Sequence, residues 1–430
     1  MDAVVLCEPK FGAGPIQSAI DYLVVEKRYR VVGAALIAKE PRPDFALEVP
    51  VVAAPDAAAA VRLAAEKFHP RAVVDITESP LEERFRWANE ALRLGLEVHG
   101  ADFRLWPPVA HEMAGRPTVM FIGAGTAVGK SAAIINFVHE ARGRYRAAAL
   151  VMDLGGPSYP ELVEPSAPEA AADRLYAYLR DGRRIDGDHY LLAAAAGVPA
   201  VGCSFAGSGL TGVPLASVVG DGAVLAAETG AELFLVEGSG QVIPPVAAGA
   251  VCLLMNIQTE PAALRGFPFA YQLQRADVVV ATGFKNQPHP KYFERLQQEV
   301  KAANPRAAFT YAPLAAELVA PPPVENAIAV TTRPEGACGA LARRWGVRLR
   351  GQVLRVLCAQ HLPPRATITK LVKTAPPATG LLLDMSLPAL ADWLEFAYSW
   401  GLPVGLTYEV LKPARPFYKT LLKRALEAAA

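Results

Sequence analysis

The chain has 430 residues, of which 52% are hydrophobic and 20% are charged. Its 43 lysine and arginine residues nearly balance its 42 aspartate and glutamate residues, and the net charge of +1 argues against a nucleic-acid-binding protein, which would carry a basic excess. The five cysteines are widely spaced without a CxxC pair, so we predict neither a disulfide framework nor a zinc site and expect reduced thiols in the cytoplasm.

The first part of the chain predicts a Rossmann-like α/β domain over residues 1–112. The N-terminus lacks a basic region followed by a long apolar stretch, so we interpret it as a β-strand and not as a secretory signal. The apolar runs AVVLC, VVGAALIA and AVVDIT alternate with stretches of helical period, which is typical of βαβ units. Pro107 and Pro108 then indicate a linker.

The middle of the chain predicts a P-loop ATP-binding catalytic domain over residues 113–323. The runs TVMFIG, AAALVMD, PAVGCS, AELFLVE, AVCLLMN and ADVVVAT repeat the alternation and indicate a mainly parallel sheet. After the proline run at 321–323, the runs IAVTT, VLRVLCA, TGLLLDM and VGLTYEV and a closing amphipathic helix predict a smaller α/β domain over residues 324–430. The expected fold class is therefore α/β, with a central P-loop NTPase domain flanked by the two others.

One uncharged segment, residues 191–220, is long enough to span a bilayer. Its scattered glycines, together with Pro199 and Pro214, argue against a continuous helix. A buried strand followed by a glycine-rich loop explains the segment better, so we expect no membrane-spanning helix.

The segment FIGAGTAVGKSA differs from the phosphate-loop pattern GxxxxGK[ST] by Ala124 at the first position of that pattern. It follows a predicted strand and precedes a predicted helix, which is the context that distinguishes a phosphate loop from a chance match. Backbone N–H groups and the helix N-terminus would bind phosphates, with Lys130 on the β and γ phosphates and Ser131 on Mg²⁺. Neighbouring glycines can absorb unusual backbone angles, so we expect Ala124 to be tolerated. The predicted cofactor-binding residues are Gly123, Gly125, Thr126, Gly129, Lys130 and Ser131.

Two carboxylates that end predicted strands are candidates for metal binding and catalysis. Asp153 ends AAALVMD before LGGP, and Glu237 ends AELFLVE before GSG. Ligands of parallel sheets bind at the carboxyl ends of the strands, so both acids would lie beside a triphosphate and could hold Mg²⁺ or accept a proton. The alternative is that each acid only caps the turn that follows it. We predict Lys130, Asp153 and Glu237 as catalytic residues and Ser131, Asp153 and Glu237 as metal ligands.

Three further features remain ambiguous in the sequence. The loop AGSGLTG could present backbone N–H groups to an anion, although a surface loop has the same composition. Cys203 is expected to pack as a small apolar residue, because no base can be assigned to it, and a lone histidine such as His189 is more often structural. No NKxD motif follows the late strands, which favours ATP over GTP.

In their order, these motifs resemble the cyclic 2,3-diphosphoglycerate synthetase family, within the dethiobiotin-synthetase-like branch of P-loop enzymes. GAGTAVGKS with a later EGSG is similar to the loop and the glutamate turn of that branch. The segments ITESPLEERFRWANEALRLGLEVHGADFRLWPP, MDLGGPSYPE, GDHY, VGCSFAGSGLTG, VEGSGQVIPPV and QRADVVVATG resemble the family in family order. The similarity is strongest over residues 75–285 and faint after 325, where HLPPR resembles a short histidine-led motif.

The resemblance implies a ligase that uses ATP and Mg²⁺ to form an intramolecular phosphoanhydride in 2,3-diphosphoglycerate, with ADP and phosphate as the other products. One substrate phosphate would be activated by the γ-phosphoryl group, and its neighbour would then attack. The partners implied are a small anionic substrate and, by analogy with the branch, a second copy of the chain in a homodimer. The substrate residues predicted on this basis are Gly155, Gly156, Asp188, His189, Gly207, Ser208, Gly209, Ser239 and Gly240.

The chain departs from the family in its cations. The family has basic side chains in the phosphate loop, before its GGP, after its GC and in its C-terminal part, where this sequence has Thr126, Ala127, Leu154, Ser204, Phe205 and Met385. Each unbalanced pair of charges costs several kcal/mol in a partly dry site. We therefore hypothesise that the acceptor is less anionic than 2,3-diphosphoglycerate.

Two other functions stay open. An ATP-dependent ligase or kinase of the dethiobiotin-synthetase type would yield an acyl or simple phosphate derivative rather than a cyclic anhydride. A nucleotide-switched binding ATPase usually shows a Cys or His metal cluster, a membrane-targeting helix or an extra lysine early in the phosphate loop. In this sequence Gly125 occupies the place of that lysine, and the C-terminal helix has few bulky apolar residues.

Overall fold

The computed structural model describes residues 1–39, 45–107, 116–141, 143–154, 156–266, 268–283, 289–320, 325–331, 348–349, 354–355, 365–374, 379–385, 390–412 and 417–430. Helices and strands alternate through these residues, which confirms the predicted α/β class. Gly155, the proline run 321–323 and most of HLPPR lie outside the described residues. In the described part of the chain, no helix is both long and apolar enough to cross a membrane.

The first 105 residues contribute one sheet of six strands with helices on its faces. Its elements are β1 Asp2–Cys7, α1 Ala13–Val25, β2 Arg30–Ile37, β3 Val51–Ala54, α2 Ala57–Phe68, β4 Ala72–Asp75, α3 Leu81–Arg93, β5 Glu97–His99 and β6 Arg104–Leu105, with a short 3-10 helix at Pro9–Phe11. The strand order is β3-β2-β1-β4-β5-β6, which is the order of a Rossmann fold, although β6 is antiparallel to β5.

Local sequence explains why these helices form where they do. Helix α2 begins after Asp56, whose carboxylate accepts a hydrogen bond from the N–H of Ala59 at 2.9 Å. Its buried residues are Ala57, Ala60, Val61 and Ala64, three or four positions apart, so one face packs on the sheet. The helix ends at His69, which adopts the left-handed conformation common after helix C-termini.

The remaining strands form a second, larger sheet. Its strands are β7 Thr118–Gly123, β8 Ala147–Leu154, β9 Glu161–Val163, β10 Ala200–Ala206, β11 Ala216–Ser217, β12 Leu233–Glu237, β13 Ala250–Asn256, β14 Val278–Gly283, β15 Ala308–Leu318, β16 Asn326–Thr331, β17 Arg348–Leu349, β18 Leu354–Arg355, β19 Thr379–Asp384 and β20 Val404–Leu411. Their order is β11-β10-β8-β12-β7-β13-β14-β15-β20-β19-β16-β17, with β9 beside β10 and β18 beside β16. All neighbours from β10 to β15 are parallel, so their carboxyl ends share one edge.

Helices cover both faces of this sheet. They are α4 Lys130–Ala141, α5 Ala171–Arg180, α6 Asp188–Ala195, α7 Val219–Glu228, α8 Phe269–Arg275, α9 Pro290–Ala303, α10 Arg365–Thr374, α11 Leu390–Ser399 and α12 Tyr418–Ala429, with 3-10 helices at Pro168–Ala170 and Pro261–Arg265. The central strands are continuous apolar runs because both faces are buried; all six residues of β7 are buried. The uncharged run 191–220 divides among α6, β10 and β11, as expected for a buried strand and loop.

Strand β15 joins the central strands to those of the C-terminal part. Its first half pairs in parallel with β14, and its second half pairs antiparallel with β20. The C-terminal strands therefore continue the central sheet instead of forming a sheet of their own. The domain boundaries at 113 and 324 stay predictions.

Candidate functional site

The loop between β7 and α4 has the backbone conformation that its glycines allow. A Cβ on Gly123 would lie 2.8 Å from the Val128 side chain, so no side chain fits there. Gly125 and Gly129 have φ angles of +127° and +88°, which favour glycine. Ala124 does not have a positive φ, and its N–H donates to the Leu254 carbonyl at 2.8 Å. The structure thus explains why alanine is tolerated at this position.

Thr282, at the end of β14, anchors the phosphate loop and was missed in the sequence. Its fully buried hydroxyl donates to the carbonyl of Val128 at 2.7 Å and lies 3.2 Å from the carbonyl of Met255. Leu314 and Leu411 lie within 3.1 and 3.8 Å of where a Cβ of Gly129 would be. The loop is therefore supported by strands that follow it by more than 150 residues. The only local signal was a hydroxyl residue near the end of a buried strand.

Ser131 and Glu237 meet at the carboxyl edge of the sheet. The Ser131 hydroxyl donates to Oε1 of Glu237 at 2.9 Å. Glu237 is only 1% exposed, and its Oε2 atom has no hydrogen-bond partner among the described residues. Burial raises the pKa of Glu237 to about 8, and the charges of Asp188 and Asp153 add to this, whereas Lys130 and the Ser131 hydrogen bond oppose it. A buried carboxylate oxygen without a hydrogen-bond partner destabilises the folded state unless a ligand binds to it.

Asp153 of β8 and Asp188 of α6 lie close to Glu237. Asp153, near the end of β8, accepts a hydrogen bond from the Ser239 hydroxyl at 3.3 Å. Asp188 is the first residue of α6, and its pKa is raised by burial and by Asp153, while Lys130 opposes the shift. The structure thus brings together Lys130, Ser131, Asp153, Asp188 and Glu237. The phosphate-loop motif predicted Lys130 and Ser131, the strand ends predicted Asp153 and Glu237, and the family resemblance implied Asp188.

At two glycines of the predicted substrate side, neighbouring atoms lie so close to the backbone that a side chain would not fit. A Cβ on Gly156 would lie 2.9 Å from the carbonyl oxygen of Cys203, and one on Gly207 would lie 2.8 Å from Leu215. Gly207 and Gly240 have φ angles of +67° and +54°. The remaining predicted substrate residues Ser208 and Gly209 lie in the exposed loop after β10. Gly155 lies outside the described residues.

His189 is buried beneath β10, whereas Asp188 beside it reaches the phosphate loop. The His189 ring is 2% exposed, its Nε2 atom lies 3.4 Å from the Glu161 carboxylate, and the ring fills the space over Gly187 and Gly202. The ring therefore packs at the start of α6, and a role of His189 in substrate binding stays a prediction. Cys203 is likewise fully buried, and burial raises the pKa of its thiol to about 12, which agrees with the expected apolar packing role.

Among the described residues, the acceptor side of the site has few cations. Leu154 is 69% exposed and pairs in register with Phe205, and Asp153 pairs with Ser204. The charge of Lys130 opposes the raised pKa values of both Asp188 and Glu237. Met385 lies after β19, where its N–H donates to the Thr407 carbonyl. In the described part of this edge, Asp153, Asp188 and Glu237 therefore lie near the ammonium group of Lys130, and Leu154 and Phe205 end the neighbouring strands.

The donor set suits a magnesium ion that also binds phosphates. No group of three or more His, Cys, Asp or Glu side chains in the described residues could hold a metal on its own. Mg²⁺ does not need one, because it typically binds one or two carboxylates and completes its shell with water and nucleotide phosphates. The Ser131 hydroxyl, the orphaned Glu237 oxygen and Asp153 fit that role.

Comparison with known proteins finds relatives over much of the chain. A family profile described as cyclic 2,3-diphosphoglycerate synthetase, P-loop domain, matches residues 118–312. The cyclic 2,3-diphosphoglycerate synthetase of Rubrobacter xylanophilus is 36% identical over 239 residues, 54% of each chain. That of Pyrococcus abyssi is 30% identical over 325 residues, 74% of each chain. The match to the Rubrobacter protein thus spans about half of its length.

Among solved structures, LpxK from Aquifex aeolicus in complex with ATP is similar with a TM-score of 0.45 and 12% identity, over 81% of this chain and 96% of that chain. A likeness at this level carries no argument about function.

Proposed function

The chain belongs to the cyclic 2,3-diphosphoglycerate synthetase family, as its motifs predicted, and we propose that it is an ATP-dependent, Mg²⁺-requiring ligase. Its reaction would form an intramolecular phosphoanhydride in a small phosphorylated acceptor. The observation that carries this proposal is the 2.9 Å contact between Ser131 of the phosphate-loop helix and Glu237 at the end of β12, whose second oxygen lacks a partner. It joins a phosphate-binding loop to a carboxylate suited to a metal.

The proposed reaction consists of two nucleophilic substitutions at phosphorus. The phosphate loop and Lys130 would bind the phosphates of ATP. Ser131, Asp153 and Glu237 would hold Mg²⁺, which offsets phosphate charge. An oxygen of one acceptor phosphate attacks the γ-phosphorus, and ADP leaves. An oxygen of a second phosphate on the same acceptor then attacks the phosphorus of the first, so that inorganic phosphate leaves and the anhydride ring closes.

The charges of the site support an acceptor that is less anionic than 2,3-diphosphoglycerate. Three carboxylates, Asp153, Asp188 and Glu237, interact with one ammonium group, that of Lys130. The neighbouring strand ends carry Leu154 and Phe205 where the family has basic residues. The described residues would offer an acceptor with several negative charges little compensation, and repulsion between unit charges 4 Å apart reaches about 4 kcal/mol near a protein surface.

Phosphorus NMR of the purified protein with ATP and Mg²⁺ tests both parts of the proposal. One sample contains 2,3-diphosphoglycerate, a second contains the same diphosphate without its carboxylate, and a third has no acceptor; Lys130→Ala protein is the control. We expect a cyclic anhydride signal with stoichiometric ADP and phosphate, and a higher kcat/KM for the less charged acceptor.

Efficient, preferential turnover of 2,3-diphosphoglycerate would contradict the acceptor part of the proposal. No anhydride with either acceptor would contradict the reaction itself. An acyl phosphate product with a carboxylate acceptor would instead indicate a ligase of the dethiobiotin-synthetase type.

The homodimer is a separate proposal, which rests on analogy with the branch. Light scattering on the purified protein tests it, because a mass of one chain would contradict it and a mass of two would support it.

A further inference from the structure

A cavity away from the proposed catalytic site lies between the helices of the first sheet and those beside β13 and β14. It has a volume of about 900 Å³, and its walls come from α2, α3, the 3-10 helix Pro261–Arg265, α8, α9 and the turn that ends at Arg306. That turn precedes Ala308, which pairs with Val278 at the start of β14. Thr282, which holds the phosphate loop, lies near the other end of the same strand. The cavity is therefore at the opposite edge of the sheet from the proposed catalytic site.

Arginines dominate the charge of this cavity. Its lining contains Arg62, Arg86, Arg93, Arg265 and Arg306 but only two carboxylates, Glu90 and Glu299. Glu90 accepts hydrogen bonds from Arg62 at 2.8 Å and from Arg93 at 2.6 Å, and Glu299 accepts two from Arg265, one of them at 3.0 Å.

Arg86 is more weakly held than the arginines that bind Glu90 and Glu299. Arg86 pairs with Glu82, outside the lining, at 3.1 Å, and both side chains are exposed. Exposed pairs of this kind contribute little to stability and exchange readily for a better partner. Even with Glu82 included, five guanidinium groups face three carboxylates, so the cavity has a positive excess.

Two amide groups in the lining have oxygens without partners. Asn89 is 2% exposed, and neither its Oδ1 atom nor Oε1 of Gln274 has a hydrogen-bond partner among the described residues. An unsatisfied buried polar group costs about 1–3 kcal/mol. Both oxygens are shielded from the cavity by neighbouring atoms, and a rotation of either side chain toward the cavity would let its oxygen accept a hydrogen bond from a hydroxyl or amino group of a ligand.

We propose that this cavity binds a small phosphate ester that also carries hydroxyl or amino groups, a class that includes nucleoside monophosphates and sugar phosphates. Guanidinium groups bind phosphate oxygens in pairs with a geometry that lysine cannot match. The volume is within the range of small-molecule sites, about 300–1,000 Å³. Because α3 and α9 both line the cavity, an occupant would connect the first sheet to the second.

Titration calorimetry on Lys130→Ala protein tests the proposal, since this background weakens phosphate binding at the other edge. The probes are AMP for nucleoside monophosphates, ribose 5-phosphate for sugar phosphates, and inorganic phosphate for the phosphate group alone. We expect AMP or ribose 5-phosphate to bind at one site per chain, and Arg86→Ala/Arg306→Ala to weaken that binding at least about tenfold. The matched control is Arg146→Ala/Arg180→Ala, which removes the same charge and also breaks an exposed ion pair, that of Arg146 with Glu232 at 3.6 Å.

A further variant separates ligand recognition from folding. Asn89→Leu has a similar volume and removes the orphaned oxygen, so we expect it to fold normally and to weaken the organic phosphate without changing the affinity for inorganic phosphate. Absence of binding by both AMP and ribose 5-phosphate would overturn the proposal. Equal affinities of the two arginine double variants would overturn it as well.

Discussion

Glu237 shows how far a single residue can be understood from its position. Its place at the end of an apolar strand predicted a role beside the phosphates, and the structure adds the Ser131 contact and the orphaned oxygen. Burial of the carboxylate could not be read from the sequence, because it depends on neighbours from several elements. The same holds for Asp188, which reaches Lys130 only because α6 begins at the carboxyl edge.

Replacing Glu237 by glutamine should separate stability from activity. Because the pKa of Glu237 is raised to about 8, this carboxyl group must take up a proton when the chain folds at pH 7. The neutral amide avoids that cost, so we expect the free energy of unfolding without Mg²⁺ and ATP to stay equal or rise by about 1 kcal/mol. Product formation should fall by at least about a hundredfold. Urea unfolding in EDTA and steady-state kinetics measure the two effects, and a clear loss of stability would contradict this reading of the site.

Strand β14 supports the phosphate loop through one hydroxyl, and Thr282→Val removes it at nearly constant volume. The Val128 carbonyl then loses its donor, so we expect the KM for ATP to rise about tenfold, equivalent to about 1.4 kcal/mol. Thr331→Val is the control, because Thr331 is also buried in a strand and its hydroxyl donates to Asp384 at 2.9 Å. Both variants should lose stability, but only the first should change the KM; an equal change in both would refute a specific role for Thr282.

Helices α2 and α3 are held together by Glu90, and this contact should depend on pH. Burial opposes ionisation of Glu90, but hydrogen bonds from Arg93 and Arg62 outweigh it and keep the pKa of Glu90 below its ordinary value of 4.5. The ionised group therefore contributes stability above pH 4.5, and this contribution is lost as the pH falls through the lowered folded-state pKa.

Glu90→Gln should thus cost about 2 kcal/mol at pH 7, and the difference from the unmodified protein should shrink below about pH 4. Urea unfolding across this pH range measures it. Glu66→Gln, at an exposed position of α2, should have no effect at any pH. A cost for Glu90→Gln that does not change with pH would exclude the ion pair as its cause.

At the scale of the whole molecule, the C-terminal part supports the phosphate loop through the continued sheet. Leu411, at the end of β20, lies 3.8 Å from the Cβ position of Gly129. Leu411→Ala should cost about 2–4 kcal/mol of stability and also raise the KM for ATP. Leu421→Ala, an equal deletion at a fully buried position of α12, should cost similar stability without changing the KM. Unfolding and kinetics on both variants measure this; unchanged KM values would show that the support is not functional.

The sequence predicted the strands of this sheet well, because continuous apolar runs are typical of strands buried on both faces. It did not show that β15 would continue the sheet into β20, since antiparallel pairing of two distant runs leaves no local pattern. The arginine cavity was invisible for a similar reason, as its residues come from segments about 200 positions apart. The sequence therefore predicted the strands themselves, but it did not predict the contacts between strands and helices that are distant in the chain.

The strand order also separates the two sides of the proposed reaction in space. Strands β13 and β14 support the phosphate loop from one flank of β7, whereas β8 and β10 lie on the other flank, beyond β12. Asp153 and Ser204 are neighbours there, as are Leu154 and Phe205. A lineage could therefore exchange one acceptor for another through paired substitutions at two adjacent strand ends while the ATP side stays intact. In this architecture, acceptor specificity can therefore change in evolution without a change in the residues that bind ATP.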